Sequence, residues 1–381
     1  MSNPSSVVST PSPPAAQVET PLLGSLLVAT PNLPISEYHG ARTIATFSSP
    51  AQELASLLSG VGVYDLGWRI QIVCTGKDRV RWLNGMVTNH VGALAPNAGC
   101  YAFALNAQGR IQGDLNIFQH GDEFWLDTDT AQAAPLTALL GRFIIMDDVV
   151  LKPSQTTTRL GIAGPNAATV LGQLGLPIDG LESLQMRASI WNGNTVTLVA
   201  AHSPLVPRFE LWIAQDQVQP LWQALRDAGA AACGAIAVEQ LRILEGTPTY
   251  GTDITARDLP QETNQTRALH FSKGCYLGQE IVERIRSRGN VHRTFSGFTL
   301  GSGFVPADTP LTEKIPILSE NQPVGDITSA SNILLPDGKE QTFALGYIRR
   351  EVLDKNAMLY CNDAVAVPAV VPFRWHEKES H

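Results

Sequence analysis

A strand, a glycine turn and an amphipathic helix occur twice in this chain at a fixed offset, and that recurrence constrains the fold more tightly than any other feature. Arg69-Ile70-Gln71-Ile72-Val73-Cys74 reads as a strand, Thr75-Gly76-Lys77-Asp78 as a turn, and Val80, Trp82, Leu83 and Met86 mark a helix. Leu160-Gly161-Ile162-Ala163, Gly164-Pro165-Asn166 and a helical stretch over 167–174 repeat the pattern, so Gly76/Gly164, Asp78/Asn166 and Leu83/Leu171 correspond. In each copy the glycine supplies the turn, and the Asp or Asn is expected to cap the helix. The pattern predicts two similar α+β halves, an old duplication.

Between the two units, 101–105, 110–118 and 124–126 read as strands separated by Asn106-Ala107-Gln108-Gly109 and His120-Gly121-Asp122-Glu123, an antiparallel arrangement. Asp114 falls inside the second of these strands, where a carboxylate is either solvent-facing or placed for a purpose. Strands at 195–200 and 209–213 and helices at 220–228 and 235–244 follow. From Phe295 onward the pattern changes to short strands at 297–300, 315–318, 324–329, 343–347, 358–360 and 364–371, a small all-β unit read as a barrel. The expected organisation is a flexible Ser/Pro/Thr-rich tail over 1–34, two α+β halves over 35–294, the barrel over 295–373 and a solvated end over 374–381.

No apolar run approaches the roughly 18 residues of a membrane span. The first cation after the amino terminus is Arg42, which disfavours a secretory or transit leader and points to a cytoplasmic protein. Five cysteines (Cys74, Cys100, Cys233, Cys275 and Cys361) lie far apart, without a C-x-x-C pair or a Cys/His cluster at ligand spacing. Neither a disulfide framework nor a resident metal site is expected.

One thiol stands out. Lys273-Gly274-Cys275-Tyr276-Leu277-Gly278-Gln279-Glu280 runs into a short basic helix, and a helix mouth together with a nearby lysine favours a thiolate. The effect is modest, because a surface helix dipole contributes roughly 0.3–1 kcal/mol, less than one pKa unit. The formal net charge is −8, yet residues 267–293 carry six Lys/Arg against two Glu, a local balance of +4. That segment is either an anion-binding face or a solvated helix laced by Glu280–Arg284 and Glu283–Arg286 pairs.

On the octapeptide the chain resembles the YgfZ family, folate-binding relatives of the glycine-cleavage T-protein, an aminomethyltransferase. The likeness extends through 260–264 upstream and 288–293 downstream, recurs diffusely at 61–66, 109–115, 233–251, 324–329 and 344–347, and spans roughly 35–373. It implies an α+β, aminomethyltransferase-like folate-binding fold, two similar α+β domains plus a C-terminal β-barrel, in a ring around the folate. It also implies a role in iron–sulfur cluster assembly or repair with Cys275 as the functional cysteine, Lys273 beside it as a second catalytic residue, and Gln279 and Glu280 among the folate contacts. Asp114 matches the second acidic position of the T-protein Gly-Gly-x-x-Asp-Asp-Leu stretch, and Gly113 replaces the first. Glu210 matches the glutamate of Gly-Phe-Glu-Ile, and Tyr101 would supply a stacking ring.

Two departures bear on activity. The usual Thr-Gly-Tyr-Thr-Gly-Glu run is replaced by residues 201–208, and Val238 stands where T-proteins carry the arginine of Ala-Arg-Asp. Three readings follow. The leading one is a tetrahydrofolate-binding accessory protein whose Cys275 engages a cluster shared transiently with a client, a persulfide or a disulfide. Its partners are folate and Fe–S client or assembly proteins, with the basic face over 284–293 holding an acidic surface or the glutamate tail. The second is a folate-dependent aminomethyltransferase using Asp114. The third is a non-catalytic RNA- or protein-binding module. DNA is not expected as a partner, and RNA is disfavoured because only Tyr276 interleaves with the cations.

Overall fold

The predicted recurrence is present as two sheets with one strand order. The computed structural model describes residues 18–374 apart from 155, 290, 302, 303, 305, 307–310, 336, 337 and 356. The chain opens with α1 (Leu23–Ala29), a hairpin of β1 (Ile35–Tyr38) and β2 (Ala41–Ile44), α2 (Pro50–Ser59) and β3 (Gly62–Asp65). The first unit is β4 (Arg69–Thr75), α3 (Arg79–Met86), β5 (Gly99–Leu105), β6 (Ile111–His120), β7 (Glu123–Asp129), α4 (Thr130–Gly141) and β8 (Val150–Ser154). The second is β9 (Thr157–Ala163), α5 (Ala167–Gln173), β10 (Met186–Trp191), β11 (Asn194–Ala200), β12 (Arg208–Ala214), α6 (Val218–Asp227) and β13 (Ala231–Cys233).

The two sheets run β5-β6-β7-β4-β8 and β10-β11-β12-β9-β3-β13. Each unit therefore places its strands alike, and the second admits β3 from the amino-terminal region. The paired glycines have a steric cause. Gly76 (φ +106) and Gly164 (φ +123) are left-handed, and a Cβ would stand 2.0 Å from the Asp148 carbonyl oxygen at the first and 2.4 Å from that of Gly60 at the second. The capping expectation is corrected. Asp78 and Asn166 occupy the cap positions without a capping side-chain hydrogen bond, because their backbones (φ −89, ψ −2 and φ −95, ψ 7) are not extended. Asp78 instead accepts from the Asp148 N–H at 2.9 Å.

After the second unit come α7 (Ala235–Glu245) and α8 (Gln279–Arg288), then β14 (Arg293–Leu300), β15 (Ile315–Ser319), β16 (Gln322–Leu334), β17 (Glu340–Arg349), α9 (Arg350–Leu353), β18 (Leu359–Cys361) and β19 (Ala364–Ala369). These six strands close a barrel in the order β14-β17-β16-β15-β18-β19. Phe298, Ile317, Ile327, Ala344 and Ile348 fill it. Helix α7 is buried along most of its length, and its Leu241 and Leu244 share a core with Tyr64 of β3 and with Phe295, Leu345 and Tyr347 of the barrel. It is the post on which sheet and barrel both lean.

The expected amino-terminal tail is also corrected. Residues 1–17 and 375–381, the outer parts of the two expected tails, lie outside the described residues. From 18 the chain is built into the fold: Leu22, Leu23 and Leu26 join the core of the second sheet, and the Thr20 N–H donates to the Arg42 carbonyl at 3.1 Å. Three leucines spaced for one helix face outweigh the proline-rich context around them.

Candidate functional site

Strand periodicity delivers polar side chains into one cavity. Asp114, Asn116 and Phe118 face the same side of β6, and with Tyr101 of β5, Glu210 of β12, Arg69 of β4, Val238 and Arg242 of α7 they line a space of about 980 Å³, its open mouth included. The Tyr101 hydroxyl donates to Asp114 Oδ2 at 2.6 Å, and the Gln132 side chain, from α4, donates to Oδ1 at 2.8 Å. Burial pushes the Asp114 carboxyl above its ordinary range, with the Asp129 charge adding to the effect and the two hydrogen bonds opposing it. Burial likewise raises the Tyr101 phenol. Glu210 takes the Trp212 indole N–H on Oε2 at 2.8 Å, and Oε1 has no protein donor among the described residues. Burial and then Asp127 raise its pKa, against Arg69 and Arg159.

The cavity floor is ionic. Arg69 clamps Asp127 and Asp129, and His39 Nδ1 meets Asp129 Oδ2 at 2.9 Å. Burial would raise the Asp129 carboxyl, but His39 and Arg69 hold it well below the usual carboxylate range. Arg242 spends its donors on Glu239, Asp253, the Thr247 carbonyl and the Ser329 hydroxyl of the barrel. It ties α7 to β16. Val238 lies one turn earlier on the same helix.

The structure therefore gathers Tyr101, Asp114 and Glu210, and it places the other expected site residues elsewhere. Lys273 is only 7% exposed, and its ammonium donates to the carbonyls of Asn84 (2.6 Å), Val87 (2.7 Å) and Asn89 (2.6 Å). It is a clamp on the end of α3 and points away from solvent. Burial draws its pKa down to about 8. Gln279 Oε1 accepts from the Tyr276 N–H at 3.2 Å, and exposed Glu280 pairs with Arg284 at 2.7 Å, so neither expected folate contact lines the cavity. Gly278 (φ +81) lets the segment press on the β5–β6 turn, where a Cβ would stand 2.6 Å from the Asn106 oxygen.

Cys275 is exposed, four residues before the first residue of α8, with its side chain outside the cavity. One N–H of the helix mouth expected to flank it, that of Gln279, is taken by the Tyr276 carbonyl at 3.1 Å. The other thiols are covered. Burial pushes Cys74 and Cys100 up to about 12 and Cys361 up to about 11, and raises Cys233 further. On α8, Arg284 and Arg286 pair with Glu280 and Glu283, and Arg293 with Asp258 and Glu262. Sequence reasoning missed His39, Arg69 and His202, and it counted Arg267 only as local charge. Arg69 carried a faint signal, a cation opening a strand that is mostly apolar.

Comparison with known proteins fits this architecture. The family model described as GCVT N-terminal domain matches residues 32–273. An aminomethyltransferase of Frankia alni is 25% identical over 300 residues, 77% of this chain and 79% of that protein. The Yersinia enterocolitica protein named tRNA-modifying protein YgfZ is 29% identical over 220 residues, 57% of this chain and 64% of its own length. The chain thus spans less than two thirds of that relative. The glycine cleavage system aminomethyltransferase T from Bartonella henselae superposes with a TM-score of 0.79 at 18% identity, covering 93% of this chain and 97% of that one. At that identity the likeness speaks for the fold.

Proposed function

The chain belongs to the folate-binding GCVT N-terminal domain family, and from that premise we propose that it binds tetrahydrofolate in the cavity and serves iron–sulfur proteins through Cys275. The observation that carries this reading is a separation: the half-buried acceptors Asp114 and Glu210 face the cavity, while the exposed thiol stands outside it. A pterin edge offers N–H donors and needs acceptors held in place. Glu210 Oε1, without a protein donor among the described residues and flanked by the Trp212-bound Oε2, is such an acceptor. Asp114, locked by Tyr101 and Gln132, would orient the middle of the ligand. Tetrahydrofolate would supply a one-carbon carrier, and the residues named here bind and orient it.

Cys275 supports the second half because it is exposed where Cys74, Cys233 and Cys361 are buried and Cys100 is half-buried. A lone surface thiol makes no cluster by itself, so its sulfur partner is supplied by a client. In a strain lacking this protein, restoring the gene with Cys275→Ser should leave Fe–S enzyme activities low; full restoration by that variant would sink the role. A second reading, aminomethyl transfer, is favoured by the placement of Asp114 in the cavity at hydrogen-bond distance from Tyr101. It predicts turnover with tetrahydrofolate and an amine donor, lost in Asp114→Asn and indifferent to Cys275. Val238 in the position of the T-protein arginine weighs against it. The RNA-binding reading loses its aromatic, since Tyr276 is 8% exposed and lies under the Lys273 ammonium at 5.0 Å.

A further inference from the structure

Four arginines line the cavity, and two of them keep a terminal nitrogen without a partner among the described residues. Every guanidinium nitrogen of Arg69 and Arg242 already meets a carboxylate, carbonyl or hydroxyl oxygen. Arg267 is different: its Nε reaches Gln265 at 3.2 Å, its guanidinium stacks 4.1 Å from the Tyr101 ring centroid, and neither terminal nitrogen has a partner among the described residues. Arg208 donates from Nε to the Tyr64 hydroxyl at 2.8 Å and from Nη1 to Glu245 at 3.2 Å, and its Nη2 has no hydrogen-bond partner among the described residues. Both line the cavity together with His202, which stands at its exposed rim. Glu245, fully buried, is the carboxylate already paired there.

We propose that Arg267, with Arg208 Nη2 and the rim at His202, forms a carboxylate subsite that takes the glutamate end of the folate and leaves a longer glutamate chain free to pass to solvent. This inference rests on the folate reading of the cavity and adds a specificity element to it. A guanidinium stacked on a ring is fixed in plane and offers its remaining N–H groups as a fork, the geometry that a carboxylate matches with two hydrogen bonds. Arg208 and Arg267 come from β12 and from the segment after α7, and they supply the cation that Val238 does not. The basic face of α8 is a weaker candidate, because Arg284 and Arg286 already pair with glutamates on that helix and none of them reaches the cavity. His202 reports on the subsite. Its pKa lies below the ordinary value, through partial burial first and then the charges of Arg267 and Arg208. An anion seated between those arginines would cancel their field, and the imidazole would recover toward its usual range.

The test is calorimetric titration of the full chain with tetrahydrofolate and with a tetrahydropterin that lacks the aminobenzoyl-glutamate. Wild type should bind tetrahydrofolate more tightly, Arg267→Gln should lose roughly 10- to 100-fold for tetrahydrofolate and nothing for the tetrahydropterin, and Arg267→Lys should recover part of the loss. Equal losses for both ligands, or no loss for either, overturns the subsite. If wild type binds neither ligand, the folate reading fails, and the subsite is judged with glutarate and the His202 ring resonances. A rise in the His202 pKa on adding glutarate, absent in Arg267→Gln, supports it, and an unmoved pKa overturns it.

Discussion

Replacing Lys273 by Met separates a structural clamp from a catalytic amine. Methionine refills most of the aliphatic stem, so the perturbation is the loss of the ammonium and its three bonds to the Asn84, Val87 and Asn89 carbonyls. Hydrogen bonds from a charged donor contribute about 1.5–3 kcal/mol each, but removing the charge also removes its burial cost. Asn84 and Asn89 are half-buried, so water can reach part of what is orphaned. The expected net loss is about 3 kcal/mol, at the low end for breaking a buried charged set. A pH arm sharpens the test. With the folded pKa near 8 against 10.5 for the free group, the unfolded chain holds the extra proton between those values, so this group makes wild-type stability rise with pH across that window. Urea unfolding at pH 7 and pH 9.5, with hydrogen exchange over 84–90 and 271–278, measures both. Lys273→Met should unfold earlier, exchange faster at those two segments and lack that increment. Unchanged stability and exchange together with lost cellular function would refute the clamp.

Cys275 should be the one thiol of native protein that reacts quickly with iodoacetamide at pH 8, with Cys74, Cys233 and Cys361 labelled only on unfolding; rapid labelling of a buried thiol would contradict the packing. Cys275→Ser, at an exposed position, should change stability by no more than about 0.5 kcal/mol in the same urea assay. Asp114→Asn places an amide donor against the Tyr101 hydroxyl or the Gln132 amide, so calorimetry should find tetrahydrofolate affinity reduced by tenfold or more at a stability cost of about 1–3 kcal/mol. Gly278→Ala, left-handed and facing the Asn106 oxygen, should cost about 1–3 kcal/mol and loosen exchange over 105–109 while leaving tetrahydrofolate binding nearly intact.

Elements governed by local pattern were legible. The barrel strands, β4 with α3, β9 with α5 and the place of Asp114 inside β6 follow from alternation and turn residues, which act over a few positions. Helix α1 was not, because Ser, Pro and Thr around Leu22, Leu23 and Leu26 masked a face that needs the β3–β9 sheet to make sense. The site was half legible. Tyr101, Asp114 and Glu210 sit on strands whose faces the resemblance could assign, whereas His39 meets Asp129 across 90 residues and Arg267 meets Tyr101 across 166. Such contacts are set by how sheets close on one another. The direction of Lys273 was hidden for another reason: it stands at a bend, where no simple alternation applies, and Lys273 and Tyr276 turn inward while Cys275 turns out because the carbonyls at the end of α3 draw the ammonium in.

The central claim is that folate site and thiol site are distinct, and one titration addresses it. Calorimetry of tetrahydrofolate against wild type, Cys275→Ser and Glu210→Gln should return the same affinity for the first two and a loss of tenfold or more for the third. Binding that vanished with Cys275 and survived Glu210→Gln would contradict the account.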